Sequence, residues 1–314
     1  MMPNVARPPR IDISEVKAAA KARMRENGNY RRVALMLALM MLLINVPVLL
    51  MDYLSTGFID LGQLDTGALS MLNLRLMLFQ LLMSLLISPA FELSKTRYML
   101  CTMRDRAGSP SELFDGLGRG SYFVSVRAAL WKGLMMYVWL MIPLGMMSQG
   151  LVAALYGGSG GLGLALIGAA LMAFIAVNRM LAYSLQFYFL AEQPRMGAIM
   201  SLRLSTMTMR GRMWERLKLE LRLLAYILPP TLPNIASMLF LKDSAAFGIA
   251  MSICTIALWA VCYPVVESAM AEYFLRIKAQ LEDQAAQARR AHESAWADAS
   301  ADGARSDSDD DPNT

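Results

Sequence analysis

Six long apolar segments alternate with polar and charged segments along the chain. They cover approximately residues 33–51, 70–91, 129–147, 162–190, 219–241 and 245–271. A helix needs about 20 apolar residues to cross a hydrocarbon core, and only helices and closed barrels satisfy every backbone polar group inside it. The sequence lacks the short alternating segments that are typical of barrel strands. We therefore predict an all-α, polytopic membrane protein with about six transmembrane helices.

The basic residues are distributed unevenly between these spans. Residues 1–32, 92–128, 191–222 and the chain beyond the sixth span contain eight, six, seven and five Lys or Arg. The connections between the other spans contain only Lys242. Because cytoplasmic segments carry the excess of Lys and Arg, we expect both termini in the cytoplasm.

The polar regions divide the chain into four parts. These are a cytoplasmic basic amphipathic helix (1–32), a six-span membrane domain (33–275), a cytoplasmic polar helix (276–297) and a disordered acidic tail (298–314). Asp12 followed by Glu15 fits the capping pattern of a helix N-terminus. The tail is too polar and too acidic to bury a core, so disorder is expected there.

The composition excludes several classes of function. Apolar residues make up 56% of the chain and the net charge is +5. The basic residues adjoin apolar spans, where they set topology and contact anionic lipid headgroups, so we expect these lipids and no nucleic acid as partners. The cysteines lack metal-ligand spacing and the single histidine, His292, lies in the polar tail. We expect no metal and no cofactor.

Arg179 is the charged residue that least suits its apolar surroundings. It follows Asn178 in the fourth span, and an arginine at the bilayer centre costs about 2.5–3.5 kcal/mol on the insertion scale. Depending on where the span begins, Arg179 either snorkels to the cytoplasmic face or lies near the centre against a partner or water. Glu267 lies near the same boundary in the sixth span. An Arg179–Glu267 ion pair is one hypothesis, either as a functional site or as a pair that only fixes topology.

Pro229, Pro230 and Pro233 predict a helix break in the fifth span. Discontinuous helices expose backbone carbonyls at membrane depth and coordinate ions or substrates in transporters. Alternatively, neighbouring helices and side chains satisfy the groups that a proline kink exposes. Both interpretations stay open.

Two further surfaces follow from residue spacing. Gly161, Ala165, Ala169 and Ala173 are spaced four apart, which predicts close packing of the fourth span against another helix. Residues 195–222 have cations on one side and apolar side chains on the other. This pattern indicates an amphipathic helix in the inner headgroup region.

Four stretches of the chain resemble a known family. They are SEVKAAAKARMRENGNYRR (14–32), LFDGLGRGSYF (113–123), FYFLAEQPRMGAIMSLRLSTMTMRGRMWERLKLEL (187–221) and YPVVESAMAEYF (263–274). The chain is similar to the uncharacterised bacterial integral-membrane proteins grouped as domain-of-unknown-function family 975. The positions that match the family pattern include Pro194, Ser205, Gly211, Trp214 and Pro264.

The resemblance has two departures and a limited meaning for function. RLLAY (222–226) replaces the family's Ser-Phe-Ile-Gly-Trp element, and MIPLG (141–145) stands for its Ile-Pro-Gly-Ile element. The resemblance implies a bacterial plasma (inner) membrane protein and assigns no activity.

The expected function is non-catalytic, because the spans offer too few acid, base or nucleophilic groups for an enzyme. We expect a role in membrane assembly or stress response, or as an interaction scaffold. The alternative is a small-solute or ion transporter or channel that uses the Arg179 region and the proline-broken fifth span. Whether the partner is a second copy or another membrane protein stays open.

Overall fold

The computed structural model describes residues 10–26, 32–35, 38–40, 42, 66–104, 110–157, 160–240 and 245–306. Its helices are α1 (Ile13–Glu26), α2 (Thr66–Leu86), α3 (Ser88–Met103), α4 (Arg119–Leu155), α5 (Gly161–Tyr183), α6 (Gln186–Glu192), α7 (Ala198–Met209), α8 (Met213–Phe240) and α9 (Ala245–Ser306). A short 3-10 helix, Pro110–Leu117, precedes α4. The described residues contain no strand, and the predicted all-α class is confirmed.

Four helical segments are long and apolar enough to cross a membrane. They are Met77–Met103, Gly120–Leu155, Gly161–Glu192 and Ala250–Ser294. These segments correspond to the second, third, fourth and sixth predicted spans, and their composition is that of a membrane protein. The first predicted span, 33–51, lies mostly outside the described residues. Helix α8 covers the fifth predicted span and is not among the four.

The predicted cytoplasmic loop 92–128 is largely helical. Only a turn at Ile87 separates α2 from α3, and α3 continues to Met103. Pro89 lies in the first turn of α3, where a missing N–H costs no helical hydrogen bond. Gly116 of the 3-10 helix packs directly on α3, because a Cβ there would lie 2.1 Å from the Ala90 carbonyl oxygen. The polar composition that predicts a loop therefore belongs to helices packed against each other.

Helix α1 (Ile13–Glu26) lies within segment 1–32, for which the sequence predicts an amphipathic helix. The Ser14 backbone N–H donates to Asp12 Oδ1 over 2.8 Å, which makes Asp12 the N-cap. Hydrogen bonds from the Ser14 hydroxyl and the Ser14 N–H hold the pKa of the Asp12 carboxyl below its ordinary value. The buried residues Ile13, Val16, Ala20 and Met24 form one face of the helix.

The packed core lies where α3, α4, α6 and α7 meet. One cluster of buried side chains contains Leu93, Ala128, Phe187, Leu190 and Ala198. A second cluster brings α5 and α7 together through Ala182, Tyr183 and Leu202. Towards the other ends of α4 and α5, large apolar side chains such as Ile142, Leu166 and Phe174 are exposed. Apolar exposure of this kind suits helices that face lipid.

Helices α4 and α5 pack antiparallel with their backbones in close contact. A Cβ on Gly150 would lie 2.4 Å from the Ala165 nitrogen, and a Cβ on Gly168 would lie 2.7 Å from the Met147 nitrogen. Gly161 and Ala165 of the predicted small-residue stripe are buried in this contact, whereas Ala173 is exposed. The contact passes from Ala165 to Gly168, because the buried side of a helix repeats at intervals of three and four residues.

Helix α8 corrects the predicted helix break. It continues from Met213 to Phe240 with Pro229, Pro230 and Pro233 inside it. Membrane helices tolerate internal proline where neighbouring groups satisfy the freed carbonyls. The interpretation that two half-helices end at the prolines does not match this geometry.

Helix α9 also extends further than predicted. It includes the sixth span, the polar helix 276–297 and residues 298–306 of the expected disordered tail. The Ala-rich sequence favours continuation of an existing helix, because propagation costs far less than nucleation. The chain separates into two compact units, Met1–Glu272 and Tyr273–Thr314. In the second unit Lys278 lies 3.7 Å from Glu282 across one turn.

The glycine contact between α4 and α5 gives a testable prediction. Gly150→Ala forces a Cβ into the backbone of α5, and overpacking of this kind costs about 1–3 kcal/mol. We expect a lower thermal unfolding midpoint in detergent. Gly145→Ala in the same helix is the matched control, because nothing lies within 4 Å of its Cβ position. It should leave the midpoint unchanged or raise it. Equal losses in both variants would contradict the packing assignment.

Candidate functional site

Lys95 is buried among the helices with all three ammonium protons engaged. Its side chain is 2% exposed. Nζ donates to Glu92 Oε2 over 2.7 Å, to Glu267 Oε1 over 3.0 Å and to the Tyr263 hydroxyl oxygen over 3.1 Å. A lysine ammonium has three donors and no acceptor, so these contacts saturate it. Nζ also lies 4.7 Å from the centroid of the Tyr263 ring.

Glu267 connects this lysine to a second tyrosine. Its side chain is 10% exposed. While Oε1 accepts from Lys95, Oε2 accepts a long hydrogen bond of 3.5 Å from the Tyr188 hydroxyl. Tyr263 and Glu267 are four residues apart on α9, so they lie on one side of that helix. Helices α3, α6 and α9 therefore meet at one buried polar cluster, made of Glu92, Lys95, Tyr188, Tyr263 and Glu267.

The three-residue spacing of Glu92 and Lys95 in α3 explains why one carboxylate of the cluster comes from the same helix as the lysine. Glu92 and Lys95 are three residues apart and therefore neighbours on the helix surface. Glu92 is 37% exposed, whereas Lys95 points inwards. A buried cation is strongly unfavourable unless it is paired and hydrogen-bonded. The two carboxylates supply that compensation from within the helix and from α9.

Other ion pairs surround the same end of the helices. Arg23 of α1 donates to Glu272 Oε2 over 2.7 Å and to the Met103 carbonyl over 2.8 Å. Arg216 of α8 pairs with Glu220 at 2.9 Å, and Arg104 pairs with Glu192. The Arg23 contacts attach the N-terminal helix to α3 and α9. We use the term paired-charge layer for the region that contains these ion pairs and the Lys95 cluster. It is formed by the adjoining ends of α1, α3, α8 and α9, together with α6 and α7.

Arg179 and Glu267 do not form the hypothesised ion pair. The carbon of the Arg179 guanidinium lies 3.5 Å from the centroid of the Trp139 ring on α4, and Asn178 is half-buried beside it. Glu267 pairs with Lys95 instead. A guanidinium over an indole ring is stabilised by the ring quadrupole without a counter-ion. Sequence spacing cannot reveal this contact, because Trp139 belongs to a different helix.

The residues on which the resemblance to a family was based have structural positions that the geometry explains. The Ser205 hydroxyl donates to the Ala182 carbonyl over 2.7 Å and accepts from the Leu185 N–H over 3.1 Å. It thereby fastens α7 to the junction of α5 and α6. Gly211 has a φ of +87° between α7 and α8, a conformation that favours glycine. Pro194 lies in the turn between α6 and α7, and Trp214 is exposed at the start of α8. Pro264 lies inside α9 beside Tyr263.

A polar cleft opens beside the paired-charge layer. Its volume is about 250 Å³, and its lining residues are Arg97, Leu100, Cys101, Arg104, Asp115, Ala191 and Glu192. Arg97 donates to the Ser121 hydroxyl over 3.0 Å, and Arg104 pairs with Glu192. Both arginines therefore already have partners in the protein.

The cluster suits charge neutralisation better than covalent chemistry. A lysine acts as a nucleophile in its neutral form, whereas the three acceptors around Lys95 favour the ammonium. Within the described residues no three His, Cys, Asp or Glu side chains are grouped as a metal site. Cys101, Cys254 and Cys262 are not joined by disulfide bonds. The Lys95 ammonium instead joins α3 to α9, two helices that are far apart in the sequence.

Sequence reasoning missed most of this cluster. The sequence identifies Glu267 as a candidate. Glu92 and Lys95 lie in the predicted loop 92–128, and Tyr188 and Tyr263 lie in predicted apolar spans without being among the candidate residues. The available signal was the spacing of Glu92 with Lys95 and of Tyr263 with Glu267, each about one helical turn. Such pairs are common on exposed helices, so spacing alone does not identify burial.

The buried pair predicts a strong asymmetry between single and double substitutions. Lys95→Met leaves Glu267 buried without its cation, which costs about 3–5 kcal/mol. Combining Lys95→Met with Glu267→Met removes both charges, and we expect much of the lost stability to return. The unfolding free energy in detergent measures both effects in a double-mutant cycle.

An exposed pair in the same chain supplies the control for this cycle. Lys278→Met removes a pair whose side chains are 35% and 68% exposed, and it should cost about 0–1 kcal/mol. Additive losses from Lys95→Met and Glu267→Met would show that the two side chains are not coupled.

Comparison with known proteins identifies no relative of this chain. Protein-family models, curated proteins and solved structures give no match to the chain. The structural basis for assigning a role to the site is the pairing of Lys95 on α3 with Glu267 on α9.

Proposed function

We propose that the protein is a non-catalytic interaction scaffold of the membrane, with a role in membrane assembly or stress response. The observation that carries this proposal is the complete pairing of Lys95 inside the paired-charge layer. Because three acceptors within the protein occupy the donors of Lys95 Nζ, this ammonium has no donor left for a substrate. A layer of this kind presents a fixed surface to partners, which is what a scaffold requires.

The proposal includes six spans with both termini in the cytoplasm of a bacterial cell and a location in its plasma membrane. Four apolar helices support membrane insertion, and the distribution of Lys and Arg supports the orientation. The paired-charge layer is built from the segments richest in Lys and Arg, so we assign it to the cytoplasmic side. Membership of domain-of-unknown-function family 975 is part of the proposal. The hydrogen bonds of Ser205 and the positive φ of Gly211 fit motifs that maintain a fold.

Transport is the second candidate function. It is favoured by the position of Lys95 and Glu267 in helical segments that are apolar enough to span a membrane. Charged residues in such segments mark ion and substrate pathways in many transporters. In this version the pathway runs past Arg179 to Lys95 and Glu267, and the prolines of α8 lie outside it.

Thiol accessibility distinguishes the two functions. After replacement of Cys101, Cys254 and Cys262, single cysteines are placed at Asn178, Arg179, Ala182 and Gln186 and treated with small charged thiol reagents in native membranes. Ala182 and Gln186 are fully buried, so the scaffold predicts that both react only after unfolding. Reaction at all four positions in the folded protein would favour a water-filled path and contradict the scaffold.

Two exposed positions serve as controls and test the orientation. Tyr156→Cys, at the end of α4, and Arg25→Cys, in α1, are exposed in the structure. Under the proposed topology the first reacts in intact cells and the second only in inverted vesicles. The reverse pattern would overturn the assignment of the termini to the cytoplasm.

Complementation gives a second test that depends on charge. In a deletion strain under envelope stress, the variant combining Lys95→Met and Glu267→Met should restore survival if the pair only holds helices together. The variant is first shown to reach the wild-type level in the membrane. Normal abundance without rescue would favour transport through the charged pair.

A further inference from the structure

Helix α7 and the first turns of α8 have one buried side and one exposed side of mixed character. On the exposed side of α7, Ile199 and Met207 are 59% and 63% exposed, and the exposed Arg203 lies midway between them. On α8, Trp214 is 64% exposed and is followed four residues later by the exposed Lys218. Each helix therefore presents a cation flanked by apolar side chains.

The spacing puts these side chains on common faces. Ile199, Arg203 and Met207 are four residues apart, and Trp214, Lys218 and Leu221 follow at intervals of four and three. Arg210 is exposed in the turn between the two helices. The exposed side chains Ile199, Arg203, Met207, Arg210, Trp214, Lys218 and Leu221 are called the basic–apolar face below.

The opposite side of α7 fixes the face in place. Ser201 and Leu202 are buried, and Ser205 is held by the Ala182 carbonyl and the Leu185 N–H. Met209 is fully buried at the end of the helix. The basic–apolar face is thus carried by an anchored helix, and its side chains are not required for internal packing.

The charge of the face points to an anionic partner. The Glu220 carboxylate of α8 is 44% exposed, but its charge is paired with the buried Arg216 over 2.9 Å. Lys218 Nζ lies 5.7 Å from the centroid of the Trp214 ring, so this cation and this indole share one patch. Arg, Trp and Met are also enriched at protein–protein interfaces, so the kind of partner follows from the arrangement and not from composition. A bilayer surface binds cations at its phosphates and apolar or aromatic side chains just beneath them, and this face adjoins the predicted fifth span.

We propose that the basic–apolar face binds anionic phospholipids of the bilayer in which the protein is embedded. Arg203, Arg210 and Lys218 contact the headgroup phosphates, while the apolar side chains and the Trp214 indole lie among the upper acyl chains. Helix α8 supports this occupant, because it continues from Trp214 into the predicted fifth span. The inference is independent of whether the protein is a scaffold or a transporter.

Quenching of Trp214 fluorescence tests the proposal on the full-length protein in nanodiscs. The probes are brominated phosphatidylglycerol and brominated phosphatidylcholine at equal mole fraction, each in a background of unlabelled phosphatidylcholine. The Trp214 signal is the difference between the wild type and Trp214→Phe. We expect about threefold stronger quenching by the anionic lipid, because the cations of the face enrich this lipid around Trp214. The difference should shrink at about 1 M salt, where the Debye length is about 3 Å.

A charge-matched pair of triple variants isolates the face. Arg203→Gln, Arg210→Gln and Lys218→Gln together should make the two lipids quench equally. Arg25→Gln, Arg289→Gln and Arg290→Gln together remove the same charge from other exposed positions and should retain the wild-type difference. Both triple variants should keep the wild-type unfolding midpoint, because the substituted side chains are exposed.

Three results would overturn the proposal. Equal quenching of the wild type by both lipids would mean apolar contact without recognition of charge. Absence of quenching by either lipid would mean that water, a second copy or another protein covers the face. Retention of the lipid preference in the first triple variant would place the anionic site elsewhere.

Discussion

One buried ammonium group determines how the helices of this protein meet. Lys95 belongs to α3, and the groups that compensate its charge come from α3 itself and from α9, far along the chain. Because a buried cation without partners is so unfavourable, α3 and α9 have to approach within hydrogen-bond distance. Tyr188 then brings α6 to the same carboxylate. Helix α6 begins at the junction with α5, and Ser205 attaches α7 to that same junction.

The sequence was sufficient for properties that are local or that depend on average hydropathy. The all-α class, the apolar segments that correspond to four described spans, the N-cap at Asp12 and the contact of Gly161 and Ala165 all belong to this group. Each depends on a residue and its near neighbours in the same helix. Helix ends were less predictable, because α3 and α9 continue into polar sequence that hydropathy assigns to a loop and to a disordered tail.

The polar cluster was beyond prediction for a physical reason. Whether a charged side chain is buried depends on which distant helix covers it. The local sequence of α3 does not indicate that α9 packs against it. Arg179 illustrates the reverse error, since its position in an apolar segment suggests a need for a carboxylate. The Arg179 guanidinium instead packs on the indole ring of Trp139 in α4. The prolines of α8 show the same limitation, because local sequence disfavours a helix that the surrounding structure retains.

The pairing of Lys95 with Glu267 also has a consequence for how the protein is made. The chain is synthesised from its N-terminus, so Glu92 and Lys95 reach the membrane long before Glu267 exists. Until α9 arrives, Lys95 has only the carboxylate of its own helix, and α3 must keep that end near water. The contact that completes the polar cluster therefore becomes available late in biogenesis. A chain stalled before Glu267 would retain a hydrated, incompletely packed α3, which distinguishes an unfinished molecule from a finished one for the cell's membrane quality control.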